Sequence, residues 1–233
     1  RNSTNKDSNV GGLVGVTRAA TIINNSYTVS NITMGGDYAG GLVGRFFGGS
    51  ITNSYSRGNL TAIDTYYNSV NRFVGGITGN INTDSALDNV YSHMDVSTSA
   101  EYVGGLIGFV NIQGTNNVEN NYATGVVSRH ASGSGDLTKF GPLIGEDYNG
   151  ATVSTTMNYY FNEQRNGSHN SLGSGIAQAA ANLSTTYANF NFSDPAIDWM
   201  SPPGGFEIKP GVSYSYPIPD WLGGGGGATT LFN

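Results

Sequence analysis

The sequence predicts an all-β chain wound into a right-handed parallel β-helix, or β-solenoid, of about five coils. The main observation is a five-residue glycine phrase that occurs at residues 11–15, 40–44, 75–79, 104–108 and 141–145. Such regular recurrence is typical of a solenoid, in which each repeat is one coil. A second observation is the composition, with 35 Gly among 233 residues and only 11% charged residues, which favours tight turns and short strands over helices. The right-handed coil follows from the crossover preference of parallel strands.

Each repeat contains three short segments with the character of β-strands. The first is the glycine phrase, the second ends at a Tyr, and the third follows that Tyr. Because segments of this length are not stable alone, we expect equivalent segments of successive coils to stack about 4.8 Å apart. This stacking predicts one buried interior column, formed by Leu13, Leu42, Ile77, Leu106 and Leu143.

The glycines and asparagines of the repeat predict the coil corners. Gly allows a positive φ or a backbone approach too close for a Cβ atom. An Asn stands shortly before each repeat Tyr, at Asn25, Asn53, Asn89 and Asn120. These Asn residues would form either a side-chain ladder or left-handed corners, and the sequence leaves both open.

The order of these motifs resembles the GLUG-motif repeats of bacterial surface adhesins and of some secreted IgA-cleaving peptidases. We assign residues 10–165 to the repeats and residues 1–9 to an N-terminal extension. The fifth repeat departs from the pattern at Pro142 and Arg165, as a terminal coil would. We read Arg1 as the start of a processed or excised chain.

Residues 166–222 resemble the segment that closes arrays of this family. The resemblance implies a capping segment with a short helix over 176–183, followed by Trp199 and by the aromatic and proline-rich stretch that ends at Trp221. A cap is physically necessary because the bare strand edge of a last coil invites aggregation.

The last eleven residues form a Gly-rich tail. Five glycines, 223–227, precede the strand-like residues Ala228, Thr229, Thr230, Leu231 and Phe232. Such a segment is suited to adding a strand to an exposed sheet edge, and the first coil offers such an edge. The tail therefore predicts a contact between subunits, in which repeated head-to-tail docking builds an open filament.

Bulk properties exclude several classes of function. The net charge is −6 and ten Lys and Arg residues are scattered singly, so there is no basic stripe for nucleic acid. No run of about 18 apolar residues could span a membrane. Cysteine is absent, which excludes disulfides and thiolate metal sites.

The acidic and histidine residues give no pattern of a catalytic or metal site. Several Asp residues do not share one repeat position, as a site built from successive coils would require: Asp37, Asp64, Asp84, Asp88 and Asp95. His93, His130 and His169 lack the spacing of a metal-binding motif. We therefore expect no enzymatic activity, no cofactor and no metal.

Two insertions and several sequons mark candidate contact surfaces. The insertions in the second and fourth repeats carry Tyr66, Tyr67, Arg129 and His130, which would make surface contacts, although neutral variation explains these loops equally well. The candidate glycosylation sites are Asn24, Asn31, Asn59, Asn166, Asn182 and Asn191.

The sequence thus predicts a non-enzymatic structural protein, secreted or at the cell surface, that forms a filament or adhesin from copies of itself. One alternative is a glycan-binding adhesin module that uses its stacked Tyr and Asn face. Another is the accessory repeat region of a secreted peptidase. The predicted partners are further copies of the chain and covalent or bound glycans.

Overall fold

The structure is a computed structural model. It describes residues 8–63, 72–111, 115–130 and 137–148, and four further short strands. In chain order the strands are β1 (Asn9–Gly11), β2 (Val14–Val16), β3 (Thr21–Asn24), β4 (Tyr27–Met34), β5 (Tyr38–Gly40), β6 (Val43–Phe46), β7 (Gly49–Ala62), β8 (Phe73–Gly75), β9 (Thr78–Ile81), β10 (Ser85–Thr98), β11 (Tyr102–Gly104), β12 (Ile107–Val110), β13 (Asn117–Glu119), β14 (Asn121–Ala123), β15 (Val127–Arg129), β16 (Phe140–Gly141), β17 (Ile144–Asp147), β18 (Asn158–Phe161), β19 (Ser174–Ile176), β20 (Phe206–Ile208) and β21 (Ser215–Pro217). Within the described residues, the one helical element is a 3-10 turn at Leu137–Lys139.

The chain divides into two units, Arg1–Gly175 and Ile176–Asn233. In the second unit, β20 and β21 form an antiparallel pair. In the first unit, one sheet has the order β1-β5-β8-β11-β16 and another the order β2-β6-β9-β12-β17. The third sheet contains β3, β7, β10, β14, β18 and β19 in that order, with β4 on β7 and with β13 and β15 on β10.

The strand pairings from β1 to β18 are parallel and join equivalent positions of successive repeats. For example, Tyr38 pairs with Phe73, and Phe73 pairs with Tyr102. Successive glycine phrases contribute neighbouring strands to the first two sheets, and the segments around each Tyr contribute to the third. This arrangement confirms the predicted all-β class with parallel sheets and is that of a β-solenoid.

The interior contains the predicted aliphatic column, with one difference at its beginning. Leu42, Ile77, Leu106 and Leu143 are wholly buried, but Leu13 is 48% exposed. The prediction that Leu13 is buried was therefore wrong, because the second coil covers it from one side only. Full burial of each of the other side chains contributes about 1.5–3 kcal/mol to the free energy of unfolding.

The corner asparagines are left-handed. The φ angles of Asn25, Asn53, Asn89 and Asn120 are 48°, 47°, 53° and 56°. Contrary to the prediction that one segment ends at the Tyr, β3 ends before this corner and β4 begins at Tyr27. In the second and third coils the corner lies inside continuous 14-residue strands, β7 and β10, because the pairing resumes in register just beyond the Asn.

Side chains from the following coil bond to the backbone just beyond two of these corners. The N–H of Val90 donates to Oδ1 of Asn121 at 2.8 Å, and Nδ2 of Asn121 donates to the carbonyl of Leu87 at 3.0 Å. In the same way, the N–H of Ser26 donates to Oγ of Ser54 at 3.1 Å. Both partner side chains are fully buried, so these hydrogen bonds remove the cost of leaving backbone groups unsatisfied.

The glycine phrase is required by close approach and not by left-handed geometry. Among the described glycines, only Gly48, Gly49 and Gly58 have a positive φ. A Cβ atom on Gly76 would lie 2.0 Å from the carbonyl oxygen of Gly105 and 2.0 Å from Oγ of Ser92. The glycine phrase therefore passes directly against the third sheet, where no side chain fits.

Most of the predicted closing segment lies outside the described residues. Ile176, the first residue of the predicted helix, ends β19, and residues 177–183 are not described. Trp199, Trp221 and the tail 223–233 also lie outside the described residues. In the part of the chain that the structure describes, no helix is long and apolar enough to cross a membrane.

Candidate functional site at the first coil

The first coil, defined here as residues 9–34 with β1 to β4, carries most of the exposed apolar side chains. Among the described residues, six large hydrophobic side chains are exposed: Leu13 (48%), Val16 (40%), Ile22 (75%), Tyr27 (53%), Val29 (57%) and Tyr148 (61%). Five of these six belong to the first coil. This concentration of exposed apolar side chains in one coil makes the first coil a candidate interaction site.

Three of these side chains stand where the second coil has a polar residue. Val16 pairs with Arg45, Ile22 with Ser50, and Val29 with Arg57. The second coil thus follows the usual rule of polar side chains on the solvent face, and the first coil departs from it. We call these three residues, together with Leu13 and Tyr27, the first-coil apolar surface.

The first coil also presents strand edges. β3 and β4 both pair with β7 on one side. In the described ranges no strand pairs with their other side. β4 is eight residues long, and natural sheets usually shorten, charge or cover an edge of this length because it templates further pairing.

A stack of tyrosine rings ends at this edge. The ring centroids of Tyr27, Tyr55, Tyr91 and Tyr122 are successively 5.1, 4.8 and 5.1 Å apart, and the rings are parallel within 5°. The last three rings have no solvent exposure. Of these four tyrosines, which the glycan-binding alternative invoked, only Tyr27 can therefore meet a ligand from solvent.

A second aromatic stack has a cation at each end. The rings of Tyr38, Phe73 and Tyr102 lie 5.1 and 4.8 Å apart. The guanidinium of Arg45 lies 4.5 Å from the Tyr38 ring centroid, and Nζ of Lys139 lies 4.4 Å from that of Tyr102. Such contacts stabilise a cation over an aromatic face.

The position of Lys139 follows from the register of the fifth repeat. Phe140 pairs with Val103, so Lys139 takes the position that Tyr102 holds in the preceding repeat. Nζ of Lys139 donates to Glu101 at 2.5 Å and to the Tyr102 hydroxyl at 2.9 Å. The hydrogen bond to Glu101, followed by that to Tyr102, raises the pKa of Lys139 well above its usual range.

The predicted contact residues of the insertions are only partly described. Arg129 lies at the end of β15, with its guanidinium 5.1 Å from the Phe140 ring centroid. The backbone N–H of His130 donates to the carbonyl of Thr98 at 2.9 Å. Tyr66 and Tyr67, and the tail residues Ala228–Phe232, lie outside the described residues.

Three of the predicted glycosylation sites lie on the outer face of the first two coils. Asn24, Asn31 and Asn59 are exposed, and Oδ1 of Asn31 accepts hydrogen bonds from Nδ2 and the backbone N–H of Asn59 at 2.8 and 3.1 Å. Oδ1 of Asn24 accepts from Thr52 and Asn53. These side chains thus join neighbouring coils. Asn166, Asn182 and Asn191 lie outside the described residues.

Three of the described aspartates accept hydrogen bonds from backbone N–H groups or an amide side chain. Asp95 accepts from the N–H of Val126 at 2.9 Å, and Asp84 from that of Thr115 at 3.0 Å. Asp88 accepts from Nδ2 of Asn120 at 2.8 Å, and burial raises its pKa, with a further contribution from the charge of Glu119. Within the described ranges, no group of three His, Asp or Glu side chains could hold a metal ion.

The sequence predicted an open edge at the first coil but not its apolar residues. The signal was present, because aligning the repeats places Ile22 and Val29 beside Ser50 and Arg57. Arg45 and Lys139 were also missed. Lys139 could have been found by extending the alignment of the fifth glycine phrase upstream, which sets Lys139 opposite Tyr102.

Comparisons with known proteins agree with this repeat architecture. The family model of the GLUG motif matches residues 35–61, which contain β5, β6 and most of β7. Halomucin of Haloquadratum walsbyi is 34% identical over 174 residues, a match that covers 64% of this chain and 2% of that protein. The chain thus carries a GLUG motif in its second coil, and the coils on either side place equivalent residues in register with it.

Proposed function

We propose that this chain is a non-enzymatic, extracellular structural protein whose copies join head to tail in a surface filament or adhesin. The GLUG motif and the similarity to Halomucin support a place outside the cell. The observation that carries the assembly is the first-coil apolar surface beside the edge of β4.

In this proposal the solenoid is right-handed, has about five coils and is closed by residues 166–222. The glycines 223–227 let the tail reach a neighbouring copy, and Ala228–Phe232 add as a strand to the β4 edge of that copy. Main-chain hydrogen bonds give such a strand affinity, and its alternate side chains give it specificity. Because donor and acceptor are different surfaces, the contact does not close on itself and the chain of subunits grows.

The test is to compare the full chain with a variant that lacks residues 223–233, by electron microscopy and sedimentation over a range of concentrations. We expect the full chain to form fibres as its concentration rises and the shortened chain to remain monomeric. Full-length chains that stay monomeric at every concentration, or shortened chains that form the same fibres, would contradict the proposal.

A charge placed on the first coil provides a second test. Val29→Lys should weaken assembly because it puts a strongly hydrated ammonium in the contact. Ser97→Lys is the matched control, because Ser97 is a partly exposed residue on β10 in the third coil, away from the first-coil edge. Equal assembly of the two variants would remove β4 from the contact.

Glycan binding is a second candidate, favoured by the exposed aromatic ring of Tyr148. This ring is 61% exposed and its centroid lies 6.1 Å from that of Phe109. Rings inside either stack have their faces against one another, whereas Tyr148 presents surface to solvent. Retention of the monomeric chain on immobilised glycans, lost in Tyr148→Ala, would support this candidate.

The peptidase-accessory alternative depends on a catalytic domain in further chain, with a motif such as His-Glu-x-x-His.

A further inference from the structure

The tyrosine stack on the third sheet indicates what a strand added to the first coil must carry. Its rings repeat once per coil with nearly constant spacing, 4.8 to 5.1 Å. At the other end, the backbone register pairs Tyr122 with Tyr159 of β18. In the described residues the aromatic column therefore stops at Tyr27.

Tyr27 is the only one of the four stacked rings with substantial exposure, 53% against none for Tyr55, Tyr91 and Tyr122. A strand that pairs with the edge of β4 would lie about 4.8 Å away, which is the spacing of the stack itself. A planar side chain at the position opposite Tyr27 would then continue the column and cover the exposed part of the ring.

The same strand must also cover the interior at this end of the solenoid. Thr28, the next residue of β4, is buried and faces the interior, where its Cγ2 lies 3.0 Å from the position of a Cβ on Gly12. Leu13, the residue after Gly12, begins the aliphatic column and is 48% exposed. Successive side chains of a strand point to opposite faces. If the added strand places an aromatic side chain on Tyr27, the next side chain of that strand therefore points into the interior, where an aliphatic residue is required to cover Leu13.

The tail of the chain contains one such pair. Between residues 223 and 233 the only aromatic residue is Phe232, and the residue before it is Leu231. The pair meets both requirements whether the added strand runs parallel or antiparallel to β4, since Leu231 faces the interior in either direction. Thr229 and Thr230 continue the segment with a residue type that is favoured in strands.

We infer that Phe232 of one copy stacks on Tyr27 of the next copy, and that Leu231 covers Leu13. This inference rests on the proposed head-to-tail assembly and names the residues that make the contact. The occupant of the site is thus a second copy of this chain, bound through its tail.

The test measures the critical concentration of assembly for Phe232→Ala, Phe232→Tyr and Thr229→Ala. Phe232→Ala should raise it about tenfold or more, since a buried interface aromatic is commonly worth at least the ~1.4 kcal/mol that a tenfold change represents. Phe232→Tyr should assemble nearly as the parent chain does, and Thr229→Ala serves as the control in the same segment. These substitutions lie in the tail, so circular dichroism should show an unchanged fold.

The pairing of the two rings is tested by a double-mutant cycle. Tyr27→Ala should raise the critical concentration by a similar factor, and the double variant Tyr27→Ala/Phe232→Ala should be little worse than either single variant. Additive effects would show that the two rings do not touch, and would overturn the inference.

Failure of this inference is distinguishable from failure of the proposed function. If the full chain never assembles, both are wrong. If the full chain assembles, loss of residues 223–233 abolishes assembly, and Phe232→Ala assembles like the parent chain, then tail docking stands and the contact of Phe232 with Tyr27 is wrong.

Discussion

At the scale of single residues, the close packing of the backbone requires glycine in the repeated phrase. Gly41, Gly76 and Gly105 hold equivalent positions, and a Cβ on any of them would lie 2.0 to 2.1 Å from a backbone oxygen of the next coil. Ser56 and Ser92 of the third sheet face two of these positions, and Oγ of Ser56 donates to the carbonyl of Gly76. The phrase thus combines close packing with a hydrogen bond that only a small side chain can make.

We predict that Gly76→Ala strongly destabilises the fold. The new Cβ would press on a backbone carbonyl that cannot move aside, so we expect a loss of about 3 kcal/mol, the upper part of the usual range for overpacking. Gly35→Ala is the matched control, since the nearest atom to its Cβ would be the carbonyl of Ile63 at 3.4 Å. Urea unfolding should show a large shift for the first and almost none for the second; equal shifts would contradict the packing argument.

Asp88 gives a prediction about pH. Burial, and then the neighbouring charge of Glu119, raise the pKa of Asp88 in the folded chain above 3.8, its usual value. A folded pKa above the unfolded one means that the aspartate favours folding below the unfolded pKa and that this stability is lost as pH rises through the folded pKa.

Asp88→Asn, which keeps an acceptor for Asn120, should therefore be more stable than the parent chain at pH 7. The difference should shrink as pH falls through the folded pKa of Asp88 toward 3.8, because protonation removes the cost of burying its charge. Unfolding at pH 7 and pH 3.5 measures both values. A gain that is the same at both pH values would mean that the titration of Asp88 has no part in it.

At the scale of elements, the third sheet is held together by matching rings and amides from coil to coil. Equivalent residues of successive coils form the tyrosine stack and the left-handed Asn corners, and Asn31 is bonded to its equivalent residue Asn59. The cation-ended stack of Tyr38, Phe73 and Tyr102 does the same for the first sheet. These polar and aromatic contacts help to fix the register between strands that are often only three or four residues long.

We predict that Tyr91→Ala and Tyr27→Ala differ greatly in their effect on the monomer. Tyr91 is fully buried between Tyr55 and Tyr122, and truncation of such an aromatic residue costs about 3–5 kcal/mol. Tyr27 stacks on Tyr55 and is 53% exposed, so its truncation should cost less than half as much. Chemical unfolding at a concentration below assembly would measure both. An equal loss would show that Tyr27 is as well packed as the interior of the stack.

At the scale of the whole molecule, a solenoid is stabilised mainly by contacts between neighbouring coils. The second and third coils have a coil on each side, and their long strands β7 and β10 pair along 13 residues. The first coil pairs with the second alone in the described part of the chain. Stability along the solenoid is therefore expected to fall toward the first coil.

We predict that amide hydrogen exchange shows this gradient and its reversal on assembly. In the monomer, amides of β4 should exchange faster than those of β10, because β4 is at the edge and opens without disturbing the other coils. In fibres, β4 should gain protection while β10 changes little. If the amides of β4 exchange as fast in fibres as in the monomer, the contact between copies lies elsewhere.

The repeated phrases of the sequence were sufficient to predict the fold class and the stacking of equivalent residues. The interval between phrases sets which residues lie side by side, and alternation along a strand sets which of them face inward. Buried Leu42, Ile77, Leu106 and Leu143 follow directly from that pattern.

Other features were decided only by the tertiary structure, because they depend on residues some 30 positions away in the chain. The left-handed conformation of Asn53, the position of Lys139 over Tyr102 and the exposure of Leu13 are of this kind. A local pattern specifies a side chain's chemistry and the face on which it lies. Its burial and backbone geometry are set by the coil above and the coil below, and the first coil has such a neighbour on one side only among the residues described.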